Sequence, residues 1–459
     1  MSNNYGGSHG GRYDGGGGGG GRDYGGGGGG RYDSGGRGGR GGRGRGRGGR
    51  NSNSSGGRSD QSHANVGPKA RLRPCGHFVK GNCQNGNSCH YAHVVKLYAR
   101  LDASNQLPPD ESSSAGGYQN QRHTKFAAVS AVSIWETQGT IKIFTGSHDG
   151  FWRLWNTQGS TFTKEFEHNM GGNGKVECLE VASNFLFCGF EAISLSLPDV
   201  KVGMIHAWNL ANPTQPPLEF HMHAKIPYAH ATCVTQLIVV NGDTIISGCR
   251  SGVIRLWKFM EGAFVLQQTI HGHAREITGL VVVDNKLLWS ASIDGSIRLW
   301  DLVTTENIHV ITKDTQTNNN PCGHTGAVTG LITCQMPGAG TFVLSSSLDG
   351  TIKAWNGQNG ECVASEDHQT GVVSMALSKD LAGNPILLIG LDSGNIMVRN
   401  LIQTAKAPAF SLLFTLTPQF STGHYGAVKT ITEGPQNTFY TGGADGKLLV
   451  LQISGDMGI

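Results

Sequence analysis

One short pattern returns through most of this chain and dictates its architecture. It reads SHDGFWRLWN at 147–156, SIDGSIRLWD at 292–301, SLDGTIKAWN at 347–356 and GADGKLLVLQ at 443–452. Two copies are worn, CRSGVIRLWK at 249–258 and LDSGNIMVRN at 391–400, and GMIHAWNL at 203–210 keeps only the second half. Each copy places a tight Asp-Gly-type turn before an alternating apolar run that ends in tryptophan. Taking that tryptophan, or its replacement, as anchor gives Trp155, Trp208, Trp257, Trp300, Trp355, Arg399 and Leu451. The spacing of about 40–55 residues is the length of one four-stranded sheet, which cannot bury its own faces and must stack on neighbours. Seven anchors therefore predict an all-β, seven-bladed closed propeller over residues 120–459.

The chain ends eight residues after Leu451, too few for an outer strand in the last blade. The segment ahead of the first blade is expected to supply it, with residues 112–126 as the candidate, although SSSAGGYQNQRHTKF is a poor strand by propensity. Residues 97–119 read as a linker, and the Asp/Ser/Pro-rich 102–116 as its hinge.

These repeats resemble the WD-repeat family. In that family a His, a Ser or Thr, an Asp and a Trp form a buried network in each blade. The resemblance assigns His273, Ser290, Asp294 and Trp300 to the fourth blade, and His324, Ser345, Asp349 and Trp355 to the fifth. The seventh keeps His424, Thr441 and Asp445 with Leu451 in place of Trp, and the first keeps Thr145, Asp149 and Trp155 with His123 as its candidate histidine. Such sets look like hydrolase triads, but their blade-by-blade recurrence marks them as structural. The second blade, with AISLSLPDVKV inserted before Trp208, and the sixth, with Ser393 and Arg399 for Asp and Trp, depart most from the pattern.

Ahead of the repeats stands CGHFVKGNCQNGNSCHYAH. Cys75, Cys83, Cys89 and His93 are separated by seven, five and three residues. Three thiolates and an imidazole make a closed tetrahedral Zn²⁺ site with no position left for water. A loop this short has no core, so the metal supplies its folding free energy and is structural rather than catalytic. Gly81 and Gly86 suit the tight turns around it. Phe78 and Tyr91 flank the ligands, Arg71, Arg73 and Lys80 surround them, and residues 61–100 contain no Asp or Glu. Aromatic rings on a basic surface favour unpaired bases.

The spacing and the flanking FVKGNC and CHYAH resemble the CCCH zinc-finger family. That resemblance implies single-stranded RNA binding by residues 69–96, with Phe78 and Tyr91 stacking on bases. Family members that read sequence well carry two or more fingers, and this chain has one, so weak binding with little sequence discrimination is implied. A single finger followed by a seven-bladed propeller resembles a plant group of CCCH zinc-finger proteins with WD repeats.

Charge divides the chain. Residues 1–100 hold 16 Lys/Arg and 4 Asp, a balance of +12; the other 21 basic and 29 acidic residues give −8. Residues 1–66 form a Gly/Arg-rich tail that lacks the apolar side chains needed to offset ordering entropy, so disorder is expected. Arg37, Arg40, Arg43, Arg45, Arg47 and Arg50 suit phosphate contact without base discrimination. The remaining seven cysteines, scattered and odd in number, and the lack of an apolar leader point to a reducing compartment. No membrane span and no small-molecule substrate are expected, and no P-loop, nucleophile elbow or open metal site appears.

The sequence therefore describes a non-enzymatic nucleic-acid adaptor of the nucleus, or of cytoplasmic RNA granules, with RNA favoured over DNA and protein partners on the propeller. Two alternatives differ in class. A DNA-binding transcriptional regulator lacks a helix suited to the major groove. A substrate receptor for a ubiquitin ligase lacks the Trp-Asp-x-Arg signature, since Trp300-Asp301 continues as Leu302-Val303.

Overall fold

The computed structural model describes residues 74–454 except 86–88, 90, 107–125, 138, 172–173, 195–198, 225, 318–319, 337 and 404–406. The Gly/Arg tail and its arginines lie outside the described residues, as do Arg71, Arg73, Gly86 and His123. All described residues fall in one unit, 64–459.

Seven four-stranded antiparallel sheets form the blades, each innermost strand abutting the next, with Val428–Glu433 against Val129–Thr137 closing the ring. In blade 1 the chain passes outward through Val129–Thr137, Thr140–Ser147, Phe151–Gln158 and Thr161–Asn169. The second strand buries its last five residues, Ile143 to Ser147, whereas the outermost strand is mostly exposed. The apolar cores lie between blades, where two sheet faces meet. One joins Ile386, Val398 and Leu416 of blade 6 to Phe439, Leu449 and Leu451 of blade 7.

Hydroxyls on the innermost strands stitch the blades together. Ser130, Thr235, Thr278, Thr329, Ser374 and Thr432 each donate to a carbonyl of the following blade, at 2.5–2.8 Å. At the blade 2–3 boundary the partner is a thiol, Cys178 Sγ, 3.8 Å from the Val234 carbonyl oxygen. Every boundary in the ring thus carries a side-chain bond to the neighbouring backbone.

The outer strand of blade 7 does come from the N-terminal side, but not from residues 112–126. It is β1 (Val95–Asp102), running antiparallel to Lys447–Ile453 with Val95 opposite Ile453 and Asp102 opposite Lys447. A bulge at Tyr98 lies opposite Leu451 and Val450. Blades 1, 3, 4, 5 and 6 place the same bulge opposite their anchor residue. β1 is therefore a regular fourth strand. It occupies the start of the expected 97–119 linker and leaves only Val94 between His93 and the strand.

Residues 102–106, the described part of the expected hinge, are likewise part of the propeller. Ala103 N–H donates to Gly446 O at 3.0 Å, Ala127 N–H to Asn105 O at 3.2 Å, and Gln106 bridges Phe126.

Candidate metal centre and nucleic-acid interface

The finger begins with α1 (Gly76–Val79), one turn of helix capped by the first ligand: Cys75 Sγ accepts from Phe78 N–H at 3.4 Å. Gly81 then turns the chain at φ 76°, a left-handed conformation that glycine adopts without steric cost. Cys75 N–H donates to Ala92 O at 2.8 Å, and Pro74 bridges Ala92, so the two ends of the motif lie side by side.

This brings the four ligands together. Their donor atoms all lie within 4.8 Å of one another, and Cys75 Sγ is 3.6 Å from Cys89 Sγ. Tetrahedral Zn–S bonds of about 2.3 Å put sulfurs about 3.8 Å apart, so the spacing fits. His93 Nε2 is buried without a hydrogen-bond partner, the state of a nitrogen reserved for a metal. Burial opposes ionisation of Cys75, but the Phe78 amide and the two neighbouring thiols outweigh it and hold the thiol below its ordinary range. The four residues are positioned to bind one zinc ion.

The rings divide their roles. Phe78 lies parallel to His93 at 4.2 Å, with planes 7° apart, so one of its faces packs on a ligand. Tyr91 is 54% exposed and Lys80 is exposed beside the turn.

The blade networks form as the motif implies in three blades. His273 meets Ser290 at 2.8 Å and Asp294 at 3.1 Å, and Trp300 donates to Ser290. His324 meets Ser345 and Asp349, with Trp355 donating to Ser345. His424 joins Thr441 to Asp445. Burial alone raises the Asp294 and Asp349 carboxyls, yet bonds from histidine, hydroxyl and backbone amides hold both well below the usual carboxylate range.

Two networks differ from expectation. In blade 1, Asp149 is met by Arg153 at 2.6 Å and by Asn105 N–H at 2.8 Å. Asn105 stands where Ala274, Thr325 and Tyr425 stand in other blades, so Ser104 fills the histidine position and Arg153 reaches the Ser147 hydroxyl and Ala103 carbonyl in its stead. In blade 3, His230, Ser247 and Trp257 form a network without an aspartate, because Ser251 stands at that place. Sequence reading missed His230, which sits 17 residues before Ser247, the separation also seen between His273 and Ser290.

Family models agree with this geometry. Residues 71–95 match the zinc finger C-x8-C-x5-C-x3-H type, and residues 118–156, 223–258, 264–301 and 316–356 match the WD domain, G-beta repeat. The chain joins a CCCH zinc finger to a WD-repeat propeller. The WD model spans blades 1, 3, 4 and 5, and blades 2, 6 and 7 are assigned by the sheets themselves. A curated CCCH relative, zinc finger CCCH domain-containing protein 17 of Oryza sativa subsp. japonica, is 28% identical over 198 residues. That match covers 43% of this chain and 36% of the relative's length. The crystal structure of the WD40 beta propeller domain of Doa1 superposes at a TM-score of 0.53 and 19% identity, over 79% of this chain and 98% of that one, a likeness of fold alone.

Proposed function

We propose that this protein is a non-enzymatic adaptor that holds single-stranded RNA at its CCCH finger and Gly/Arg tail and protein partners on its propeller, acting in the nucleus. The observation that carries it is the pair of exposed side chains Tyr91 and Lys80 in a finger whose four ligands are positioned for zinc, within a stretch free of acidic side chains. Unpaired bases stack on such rings while cations neutralise their phosphates. Among the described residues the finger's helix, α1, has four residues, too few for the major groove. One finger binds weakly, and tethering it to an arginine-rich tail raises apparent affinity through effective concentration.

The test is competition between single-stranded RNA and duplex DNA for the full chain. RNA should win. Cys83→Ser and deletion of residues 1–60 should each weaken RNA binding, and together nearly abolish it. Undiminished affinity in the double variant would overturn the reading.

A further inference from the structure

The two longest stretches of this chain without Asp or Glu are residues 61–101 and 393–432. The first carries six Lys/Arg and includes the finger and most of β1; the second carries three and includes the loop that enters blade 7. They are more than 290 positions apart in sequence, inside a chain whose other part is net acidic. The fold nonetheless places them against each other.

Two contacts show it. Phe420 lies on the finger: a Cβ added to Gly76, the residue after the first zinc ligand, would meet the Phe420 ring at 3.2 Å. Five residues on, Tyr425 lies under Arg100 of β1, whose guanidinium carbon is 5.2 Å from the ring centroid. Phe420 is 46% exposed and Tyr425 is 74% exposed. Tyr91 and Tyr425 are the two tyrosines that stand out as exposed among the described residues, one on the finger and one on this loop.

The blade network does not use the Tyr425 ring. Tyr425 gives the fold its backbone, donating N–H to Asp445 at 3.1 Å, as Ala274 and Thr325 donate to the matching aspartates of their blades with small side chains. Its ring stands outside that network, with Arg100 as its neighbour. The one carboxylate at hand is already engaged, since Asp445 accepts from Arg100 at 3.0 Å and from His424 at 2.8 Å.

We infer that the nucleic-acid surface does not end at the finger but continues onto the propeller, through Phe420, Tyr425 and Arg100, as a track for single-stranded RNA. This rests on the RNA-binding reading above and extends its site. Exposed rings take bases of any sequence, Lys80 and Lys96 supply charge for phosphate, and Arg100, anchored by Asp445, lies over the Tyr425 ring. A track built on a rigid loop also gives a single finger the extra stacking positions that its relatives with several fingers obtain from repetition.

The experiment is fluorescence anisotropy of the full-length, zinc-loaded protein with a labelled single-stranded RNA of about 20 nucleotides of mixed sequence. Phe420→Ala and Tyr425→Ala should each weaken binding about five-fold or more, as expected for the loss of one base–aromatic stack. Phe166→Ala, which removes a comparably exposed ring from the outer strand of blade 1, should leave affinity unchanged. Melting curves matching the wild type establish that the exposed substitutions leave the fold intact. If the double variant binds as the wild type does while Cys83→Ser does not, the track is wrong and the finger stands alone. If the double variant keeps RNA but loses a co-purifying protein, the surface is a protein contact and the inference fails. If the wild type binds no RNA, the functional reading fails and this inference with it.

Discussion

Val95 pairs with Ile453, so the residue two places beyond the last zinc ligand is hydrogen-bonded into the last strand of the propeller. Val94, between His93 and Val95, is buried in the core shared by blades 6 and 7, and its carbonyl accepts from Ser454 N–H at 2.9 Å. The finger is therefore not an appendage on a linker. Whatever orders His93 also orders the entry of the strand that closes the ring.

Metal removal should consequently destabilise the propeller. A ligand that binds the folded state alone adds its binding free energy to stability. All eight tryptophans lie between Trp135 and Trp355, within blades 1 to 5, so their fluorescence reports the propeller and not the finger. Chelation of zinc should lower the tryptophan-monitored melting midpoint by several degrees, and added Zn²⁺ should restore it. A midpoint indifferent to the metal would show that finger and ring fold independently.

Acid should weaken the fold through three buried histidines, whose combined effect exceeds the opposing one of Glu180, a carboxyl that burial pushes up to about 7. Burial pushes His206 and His368 down to about 4 and His230 down to about 3. Neither ring nitrogen of His368 has a partner, and His230 Nδ1 lacks one because Ser251 replaces the aspartate. These groups are neutral in the folded protein and ordinary in the unfolded chain, near 6.5. Their contribution is complete above about pH 6.5 and is lost as pH falls toward 4. Urea midpoints should therefore decline between pH 6.5 and 4.5, and Ser251→Asp, by giving His230 a carboxylate, should lessen the decline. A flat profile over that range would contradict the assignment.

The seven blades were legible because Asp-Gly turns and tryptophans repeat at fixed intervals, and the metal site because ligand spacing is local. Blade closure was misplaced for a physical reason. Residues 95–102, VKLYARLD, alternate apolar and polar as a half-buried strand does. Adjacency to the zinc ligands drew them into the finger and its linker. Arg153 illustrates a different limit. It lies within the strand Phe151–Gln158, and only the fold reveals that Ser104, at the histidine position, leaves room for its guanidinium beside Asp149.

Arg153 is 2% exposed and Asp149 nearly as buried, so the pair is one of the few fully desolvated ion pairs described here. Burial opposes ionisation of Asp149, but bonds from Arg153, Ser147 and Asn105 outweigh it and keep the carboxyl below its ordinary range. Removing one partner strands the other charge. Arg153→Met should cost about 3–5 kcal/mol in denaturant unfolding, and the further change Asp149→Asn should recover part of it. A single variant as stable as the wild type would mean that the pair contributes nothing.

The inter-blade stitches give the last expectation. Thr278 donates to Val328 O at 2.7 Å, from blade 4 to blade 5. Thr278→Val keeps the shape, removes the donor and leaves a carbonyl short of a partner, a loss of about 1 kcal/mol. Thr278→Ser retains the hydroxyl and should cost less. Thr432 donates in the same way from blade 7 to blade 1, on the innermost strand of the blade that β1 completes at its outer edge. Distant substitutions add when their sites act independently. Thr278→Val with Thr432→Val should therefore cost the sum of the two in a ring that unfolds as one body. A double variant markedly worse than the sum would reveal that the boundary between blades 7 and 1 opens first.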